Sequence, residues 1–360
     1  MPALQPTIAP AGAEFAALLH AAALAGTAIA PLNPELPEPV LPGGLPEGTL
    51  AVLFTSGTTG EPRPVCLTHA NFEASAGASA AALPIAADDR WLCCLPVFHV
   101  GGLSVFTRSA IHATTVVAEP AFDTRRVKDL LEAGEATIAS LVPTMLSRLR
   151  DAGLERAPRL RGILLGGGPI PQELLDWART SGLPVRPTYG MTETTSQIAT
   201  AVVGERLGRV LPGVELRIGE DGEILVRGPV IAPGTAAADG WLHTGDVGTL
   251  ESDGLLCVVG RSKDLIVTGG ENVAPAEVEQ ALLDHPAVAD AGVIGLPDPE
   301  WGEVVCAAVV LARGAGTEGL IDWCRERLPG YKVPKRIEPL RVLPRNAAGK
   351  LMRDELRSMI

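Results

Sequence analysis

The stretch "TSGTTGEPR", residues 55–63, gathers glycine and hydroxyl side chains directly after an apolar run. Its glycines let the backbone turn tightly around a ligand, and its hydroxyls and N–H groups can donate hydrogen bonds to phosphate oxygens. The pattern differs from G-x-x-x-x-G-K-[ST], which disfavours a Walker-type ATPase. The alternative is a flexible turn without a ligand. The residues predicted to contact phosphate are Thr55, Ser56, Gly57, Thr58, Thr59, Gly60 and Arg63.

Length and composition narrow the class of protein. A chain of 360 residues, 46% hydrophobic and 20% charged, predicts a globular protein with two domains. The net charge of −12, without runs of lysine or arginine, argues against binding to nucleic acid or anionic membranes. No apolar stretch approaches about 18 residues, so we expect no membrane span. The six cysteines lack C-x-x-C pairing, which favours reduced, buried thiols in a cytoplasmic protein.

The order of apolar runs predicts the fold class. Residues 11–30 are alanine-rich and predict an amphipathic first helix, and residues 31–48 are too rich in proline for regular structure. From Thr49 onward, short β-rich runs alternate with helical ones, which predicts parallel strands in an α/β layered domain. From about Gly204, turn signals such as "EDGE" predict β-hairpins and a small β-rich subdomain. A smaller, mobile α+β domain is expected to follow.

The domain boundary is predicted from a polar tetrapeptide, Arg261 to Asp264, that separates two apolar runs. The expected organisation is a first domain over residues 1–260, a hinge at 261–263 and a C-terminal domain over 264–360.

Six stretches, taken in order, resemble the superfamily of acyl- and aryl-CoA ligases, luciferases and peptide-synthetase adenylation domains. The resemblance covers roughly residues 49–353. It implies that ATP and Mg²⁺ activate a carboxylic acid as an acyl-adenylate, which coenzyme A then attacks. The matching stretches are "TSGTTGEPR", "LPVFHVGG", "YGMTET", "WLHTGDVG", "GRSKDLIVTGGENVAPAEVE" and "PRNAAGKLMR".

The resemblance assigns further residues to the nucleotide. Tyr189 corresponds to an aromatic ring that stacks on adenine, and Asp246 to a carboxylate that accepts both ribose hydroxyls. Without its motif, Asp246 would be interpreted as an ordinary turn residue. The residues assigned to ATP or AMP beyond the phosphate loop are Gly167, Gly168, Tyr189, Gly190, Asp246 and Arg261.

The resemblance also assigns catalytic roles. Lys350 corresponds to the lysine that bridges the substrate carboxylate and the α-phosphate, Glu193 to the magnesium ligand and Thr192 to a phosphate contact. The alternatives are a solvated surface lysine and a solvated loop carboxylate. Because Lys350 belongs to the second domain, the two domains are expected to close over the substrate.

The second half-reaction involves a different part of the small domain. Lys263 matches the hinge position of the superfamily. Gly269 and Gly270 correspond to the loop that lines the pantetheine tunnel during thioester formation.

The segment around "FHVGG" predicts which acid is activated. His99 corresponds to a catalytic residue at the junction of the acyl pocket and the tunnel, where it could gate the approach of the thiol, and Gly102 matches the acyl pocket. Arg108 lies nine residues after His99 on a mainly apolar helix. Burying an arginine is costly unless it meets an anion. The o-succinylbenzoate:CoA ligases of menaquinone biosynthesis, in particular short actinobacterial ones, are similar here, with an arginine that meets a carboxylate of their diacid. The alternatives are an internal salt bridge for Arg108 and a core histidine for His99.

The sequence departs from the superfamily at two points. Arg63 and Pro64 stand where lysine and glycine are usual, which keeps the charge but stiffens the loop. The portion before the phosphate loop is short, and we expect two chains to pair. Rival functions are a benzoate- or fatty-acid-type CoA ligase, a stand-alone peptide-synthetase adenylation domain and a catalytically silent nucleotide-binding regulator.

Overall fold

The computed structural model describes residues 3–56, 62–203, 205, 208–345 and 351–360. In this part of the chain, helices cover three β-sheets. The helices are α1 (Ala13–Ala25), α2 (His69–Ala82), α3 (Val100–His112), α4 (Thr124–Glu132), α5 (Pro143–Asp151), α6 (Gln172–Thr180), α7 (Pro275–Leu283), α8 (Leu320–Arg325) and α9 (Arg353–Met359). Short 3-10 helices span Thr192–Thr194, Ser262–Asp264 and Gly330–Lys332.

The strands follow the same chain order. They are β1 (Leu4–Thr7), β2 (Ala28–Pro31), β3 (Thr49–Ser56), β4 (Pro62–Thr68), β5 (Arg90–Cys93), β6 (Thr115–Ala118), β7 (Ile138–Leu141), β8 (Gly162–Leu165), β9 (Val185–Met191), β10 (Ser196–Thr200), β11 (Gly208–Val210), β12 (Glu215–Ile218), β13 (Glu223–Arg227), β14 (Leu242–Leu250), β15 (Leu255–Arg261), β16 (Ile266–Thr268), β17 (Glu271–Val273), β18 (Val288–Asp298), β19 (Gly302–Leu311) and β20 (Arg336–Pro339).

The first sheet has the order β1-β2-β3-β4. Its strands β3 and β4 are antiparallel, and the pairs Thr55 with Arg63 and Ser56 with Pro62 close their ends. The connection between these ends, residues 57–61, falls outside the described residues.

The second sheet contains the predicted parallel strands. Its order is β12-β13-β14-β15-β11-β10-β9-β8-β7-β5-β6 among the described strands, and β5 to β9 pair in parallel. The predicted hairpin at "EDGE" is present as β12 and β13. The β-rich part continues the parallel sheet edge to edge, because β10 pairs antiparallel with β9.

Local sequence signals begin two of the helices. Asp123 accepts a hydrogen bond from the N–H of Arg126 and caps α4, and Pro143 occupies the first turn of α5. The predicted helix over residues 11–30 is too long, because α1 ends at Ala25 with Gly26 as its cap. Two apolar clusters pack on the two faces of the parallel strands.

The third sheet forms the smaller C-terminal domain. Its order is β17-β16-β19-β18, with β20 beside β19. The apolar sides of α7 and α8 pack on it through Val278, Leu282 and Leu320. Two short antiparallel strands, β16 and β17, flank a turn at Gly269 and Gly270.

No helix of the described residues is long and apolar enough to cross a bilayer. All six cysteines are free, and four of them are buried.

Candidate active site

Three predicted nucleotide-binding side chains meet at the junction of the parallel and antiparallel strands. The Tyr189 hydroxyl donates to Asp246 Oδ2 at 2.7 Å. Arg261 Nε lies 2.8 Å from Asp246 Oδ1. Since Asp246 is only 6% exposed, these partners offset the cost of burying its charge.

The strand register explains this meeting. Asp246 on β14 is the direct cross-strand neighbour of Arg261 on β15. The backbone N–H of Asp246 donates to Thr244 Oγ1 at 3.1 Å, and Arg261 Nη1 donates to the Thr244 carbonyl at 3.2 Å. The carboxylate is therefore fixed through both its side chain and its main chain.

Tyr189 is a neutral donor in this cluster. Burial, followed by the nearby Asp246 charge, raises the pKa of the Tyr189 phenol far above its usual range. The phenol therefore keeps its proton at physiological pH and can hold Asp246 while its ring is available for stacking.

Glycine is required beside Tyr189. A Cβ on Gly190 would lie 1.8 Å from the Ser196 carbonyl of β10. Gly190 therefore allows β9 and β10 to approach closely and aligns the "YGMTET" segment.

The segment after β8 lies next to the same strand. Gly167 and Gly168 are exposed and follow Leu165, the last residue of β8. The Thr188 hydroxyl of β9 donates to the Leu165 carbonyl at 3.4 Å. The structure thus places Gly167 and Gly168, two of the residues assigned to the nucleotide, after a strand that neighbours the one carrying Tyr189.

Thr192 and Glu193 begin the 3-10 helix after β9. The Glu193 carbonyl accepts the Ala232 N–H at 2.9 Å, whereas no residue in the described part of the chain binds its carboxylate. The two residues that follow this 3-10 helix, Thr195 and Ser196, have φ angles of 52° and 94°. Such backbone strain is costly and concentrates at functional sites.

Arg108 is buried on α3 and has no acidic partner in the described chain. It is 3% exposed, its Nη2 donates to Ser75 Oγ at 3.2 Å, and its Nε has no partner. The guanidinium carbon lies 5.8 Å from the centre of the Trp91 ring. Burial lowers the pKa of Arg108 to about 10, so the group is still charged at neutral pH.

Other polar atoms on this helix are also unpaired among the described residues. His99 precedes α3, and its Nε2 is buried without a partner, as are the hydroxyls of Ser104 and Ser109. Burial lowers the pKa of His99, which favours a neutral ring. Gly102 lies in the first turn of α3.

The remaining predicted residues are distributed as follows. Thr55 and Arg63 pair at the ends of β3 and β4. Lys263 is exposed in the 3-10 helix Ser262–Asp264, next to Arg261. The turn between β16 and β17 contains Gly269 and Gly270 with φ of 59° and 83°. The predicted residues Gly57, Thr58, Thr59, Gly60 and Lys350 lie outside the described residues.

Sequence reasoning missed the supporting residues Ser75 and Thr244. Ser75 contacts Arg108 and also donates to the Thr195 carbonyl at 2.8 Å, which links α3 to the segment after Glu193. A serine within an alanine-rich helix gives no local signal of this contact. Thr244 was visible in the "TGD" motif but was not assigned.

Among the described residues, Glu193 carries the carboxylate predicted to bind a magnesium ion. The described residues contain no group of three or more His, Cys, Asp or Glu side chains able to hold a metal. Mg²⁺ commonly binds through one or two carboxylates, substrate phosphates and water. The carboxylate of Glu193, which has no partner among the described side chains, fits that mode of binding.

Comparisons with known proteins agree with this geometry. The family model of the AMP-binding enzymes matches residues 42–235, and the model of their C-terminal domain matches residues 277–350. The chain therefore belongs to the AMP-binding enzyme family. It is 42% identical over 340 residues to a 2-succinylbenzoate--CoA ligase of Bacillus cereus, covering 87% of this chain and 70% of that protein.

Solved structures show the same relationship. The o-succinylbenzoate CoA synthetase (MenE) of Bacillus subtilis in complex with the acyl-adenylate intermediate OSB-AMP superposes with a TM-score of 0.87 at 35% identity, covering 99% of this chain and 88% of that one. The structure of the same synthetase in complex with ATP and magnesium ion superposes with a TM-score of 0.88 at 36% sequence identity. The match covers 99% of this chain and 89% of that one. The structure of ATP-bound MatB from Rhodopseudomonas palustris superposes with a TM-score of 0.89 at 25% sequence identity. This match covers 100% of this chain and 89% of that one.

Proposed function

We propose that the protein is an ATP-dependent o-succinylbenzoate:CoA ligase of menaquinone biosynthesis. The observation that carries the substrate assignment is the buried guanidinium of Arg108, which has no acidic partner in the described chain. An uncompensated buried charge is expensive, and a ligand carboxylate would compensate it. The family membership and the 42% identical relative support the reaction class.

In the first step, the succinyl carboxylate attacks the α-phosphorus of ATP and displaces pyrophosphate. Tyr189, Asp246 and Arg261 hold the adenosine, while Arg108 binds the aryl carboxylate and leaves the other carboxylate free to react. Preorganised donors and cations stabilise the charge that grows on the phosphates. Glu193 would hold Mg²⁺, which supplies positive charge beside the phosphates. Lys350 bridges the carboxylate and the α-phosphate.

In the second step, the thiol of coenzyme A attacks the acyl carbon, AMP leaves and the thiol proton is released. We propose that residues 264–360 rotate about Lys263, so that Gly269 and Gly270 replace Lys350 at the site. The exposure of Lys263 and the positive φ angles of the two glycines support this assignment.

The test is pyrophosphate release with ATP, Mg²⁺ and three acids: o-succinylbenzoate, benzoate and a fatty acid. Release with the first acid alone is expected. Pyrophosphate release with benzoate or the fatty acid instead would show that the protein acts on another class of acid. No pyrophosphate release with any of the acids would indicate a catalytically silent nucleotide binder.

Two further assignments accompany this function. We propose that the reaction takes place in the cytoplasm, where ATP and coenzyme A are available. We also propose that two chains pair, because Leu24, Leu36 and Val40 are exposed apolar side chains near the first sheet. Light scattering of the purified protein measures its mass and would reject pairing if it gave one chain.

A further inference from the structure

A short turn on β14, His243 to Asp246, carries the carboxylate of the proposed ribose site. The Glu223 side chain from the adjacent strand β13 binds this turn at two places. Glu223 Oε1 accepts the Gly245 N–H at 2.7 Å, and Oε2 lies 2.8 Å from His243 Nδ1. One side chain, 15% exposed, therefore binds both the Gly245 main chain and the His243 ring.

The strand pairing shows why the turn needs this support. Glu223 opposes Val247 and Leu225 opposes His243, so three residues of β14 face a single residue of β13. Such an irregularity leaves backbone groups outside the ladder and redirects side chains. Gly245 adopts a φ of 69°, and its N–H is satisfied by Glu223.

We propose that Glu223 is a positioning residue for nucleotide binding, which acts by holding the turn that presents Asp246. Arg261 and Tyr189 hold the Asp246 carboxylate, and Arg261 also binds the Thr244 carbonyl. Among the described residues, however, the Gly245 N–H has Glu223 as its acceptor. Loss of the Glu223 acceptor would leave the Gly245 N–H unpaired and free the turn to relax. This inference rests on the proposed role of Asp246 toward ribose.

The ordinary alternative is a surface ion pair that contributes only to folding. Glu223 contacts His243, and His243 Nε2 lies 3.3 Å from Asp239 Oδ2. Arg217 in turn lies 3.8 Å from Asp239. A purely structural role predicts equal damage to every activity of the protein, whereas a positioning role predicts selective damage to nucleotide binding.

Two substitutions separate these roles. Glu223→Gln keeps an oxygen that can accept the Gly245 N–H, whereas Glu223→Ala removes it. The control is Glu215→Ala on the same β-rich part, where an exposed carboxylate pairs with Arg227 away from the turn. Calorimetric titration with ATP and the KM values for ATP and acid are measured for each variant, together with Tm.

We expect Glu223→Ala to bind ATP with about tenfold weaker affinity than the wild type. The ATP affinity of Glu223→Gln should lie within about threefold of the wild-type value, and that of Glu215→Ala should not change. KM for the acid should change by less than about twofold. The proposal is overturned if Glu223→Ala binds ATP like the wild type, or if Gln and Ala variants lose ATP affinity equally.

The calorimetric measurement needs no acid. A wild-type protein that binds ATP but activates no acid would refute the proposed ligase function, and the ATP affinities of the variants would still decide the role of Glu223.

Discussion

The proposed nucleotide site and the α3 side of the parallel sheet differ in how their polar groups are satisfied. Both oxygens of the Asp246 carboxylate have partners, from Tyr189 and Arg261. In the described residues around α3, by contrast, His99 Nε2 and Arg108 Nε are buried without partners. Each unsatisfied buried group costs about 1–3 kcal/mol.

This contrast indicates two ways of building a site. In the proposed nucleotide site, Asp246 is already held by its protein partners, so binding would add contacts to an existing frame. On the α3 side, the described residues leave the Arg108 charge without an acidic partner, so the proposed acid would supply one. Recognition of the acid and recognition of the nucleotide should therefore be separable by mutation.

The largest expected effect comes from Arg108→Ala. Loss of a charge-assisted contact to a buried carboxylate costs about 3 kcal/mol, or roughly a hundredfold in KM for o-succinylbenzoate. Steady-state kinetics should show KM for ATP nearly unchanged. Arg90→Ala, at an exposed pair with Glu135, is the control. A comparable rise in KM for ATP would mean that the two regions are not independent.

The next effect is expected from Asp246→Asn. The change removes the charge that pairs with Arg261 and one ribose acceptor, and should weaken ATP binding by about 2 kcal/mol, roughly thirtyfold. Titration calorimetry with ATP measures this loss. The KM for the acid should stay close to the wild-type value, and an equal rise in both constants would contradict the separation.

A smaller effect is expected from Tyr189→Phe. This variant keeps the aromatic ring but loses the hydrogen bond to Asp246, which is worth about 1 kcal/mol, or roughly fivefold in ATP affinity. Tyr189→Ala should lose more, because the ring is also removed. Equal affinities of the Phe and Ala variants would show that the ring contributes nothing.

The smallest effect concerns pH and the turn before Asp246. The hydrogen bond to Glu223, followed by the one to Asp239, raises the pKa of His243 in the folded protein. The stability that these contacts contribute is therefore fully present below the pKa of histidine in the unfolded chain, about 6.5, and is lost as pH rises through the pKa in the folded protein. His243→Gln cannot titrate. The Tm difference between wild type and this variant should shrink from about pH 6 to pH 8, and a constant difference would exclude this contribution.

Local signals were sufficient for much of the fold. Asp123 and Pro143 mark helix starts that depend only on neighbouring residues, and both helices begin there. The end of α1 was misjudged because alanine favours helix on both sides of Gly26, and the strand β2 that follows is stabilised by its partners β1 and β3.

The site was only partly predictable. The motifs and the resemblance pointed to Tyr189 and Asp246, but their contact joins residues 57 positions apart and depends on strand order. Nothing local marks Glu223 as a support for Gly245, since the "EDGE" pattern indicates only a turn. That Arg108 is buried without an acidic partner among the described residues could not be inferred either, because burial and neighbours are properties of the folded chain.

The edge-to-edge joining of β9 and β10 has a consequence for redesign. Consecutively paired strands connect the parallel strands to the strand that carries Asp246, so the main chain sets the distance between the two halves. Side chains on α3 could then be exchanged for those suited to other acids while the adenosine-holding frame stays in register. New ligases could be derived from this scaffold by altering a single helix.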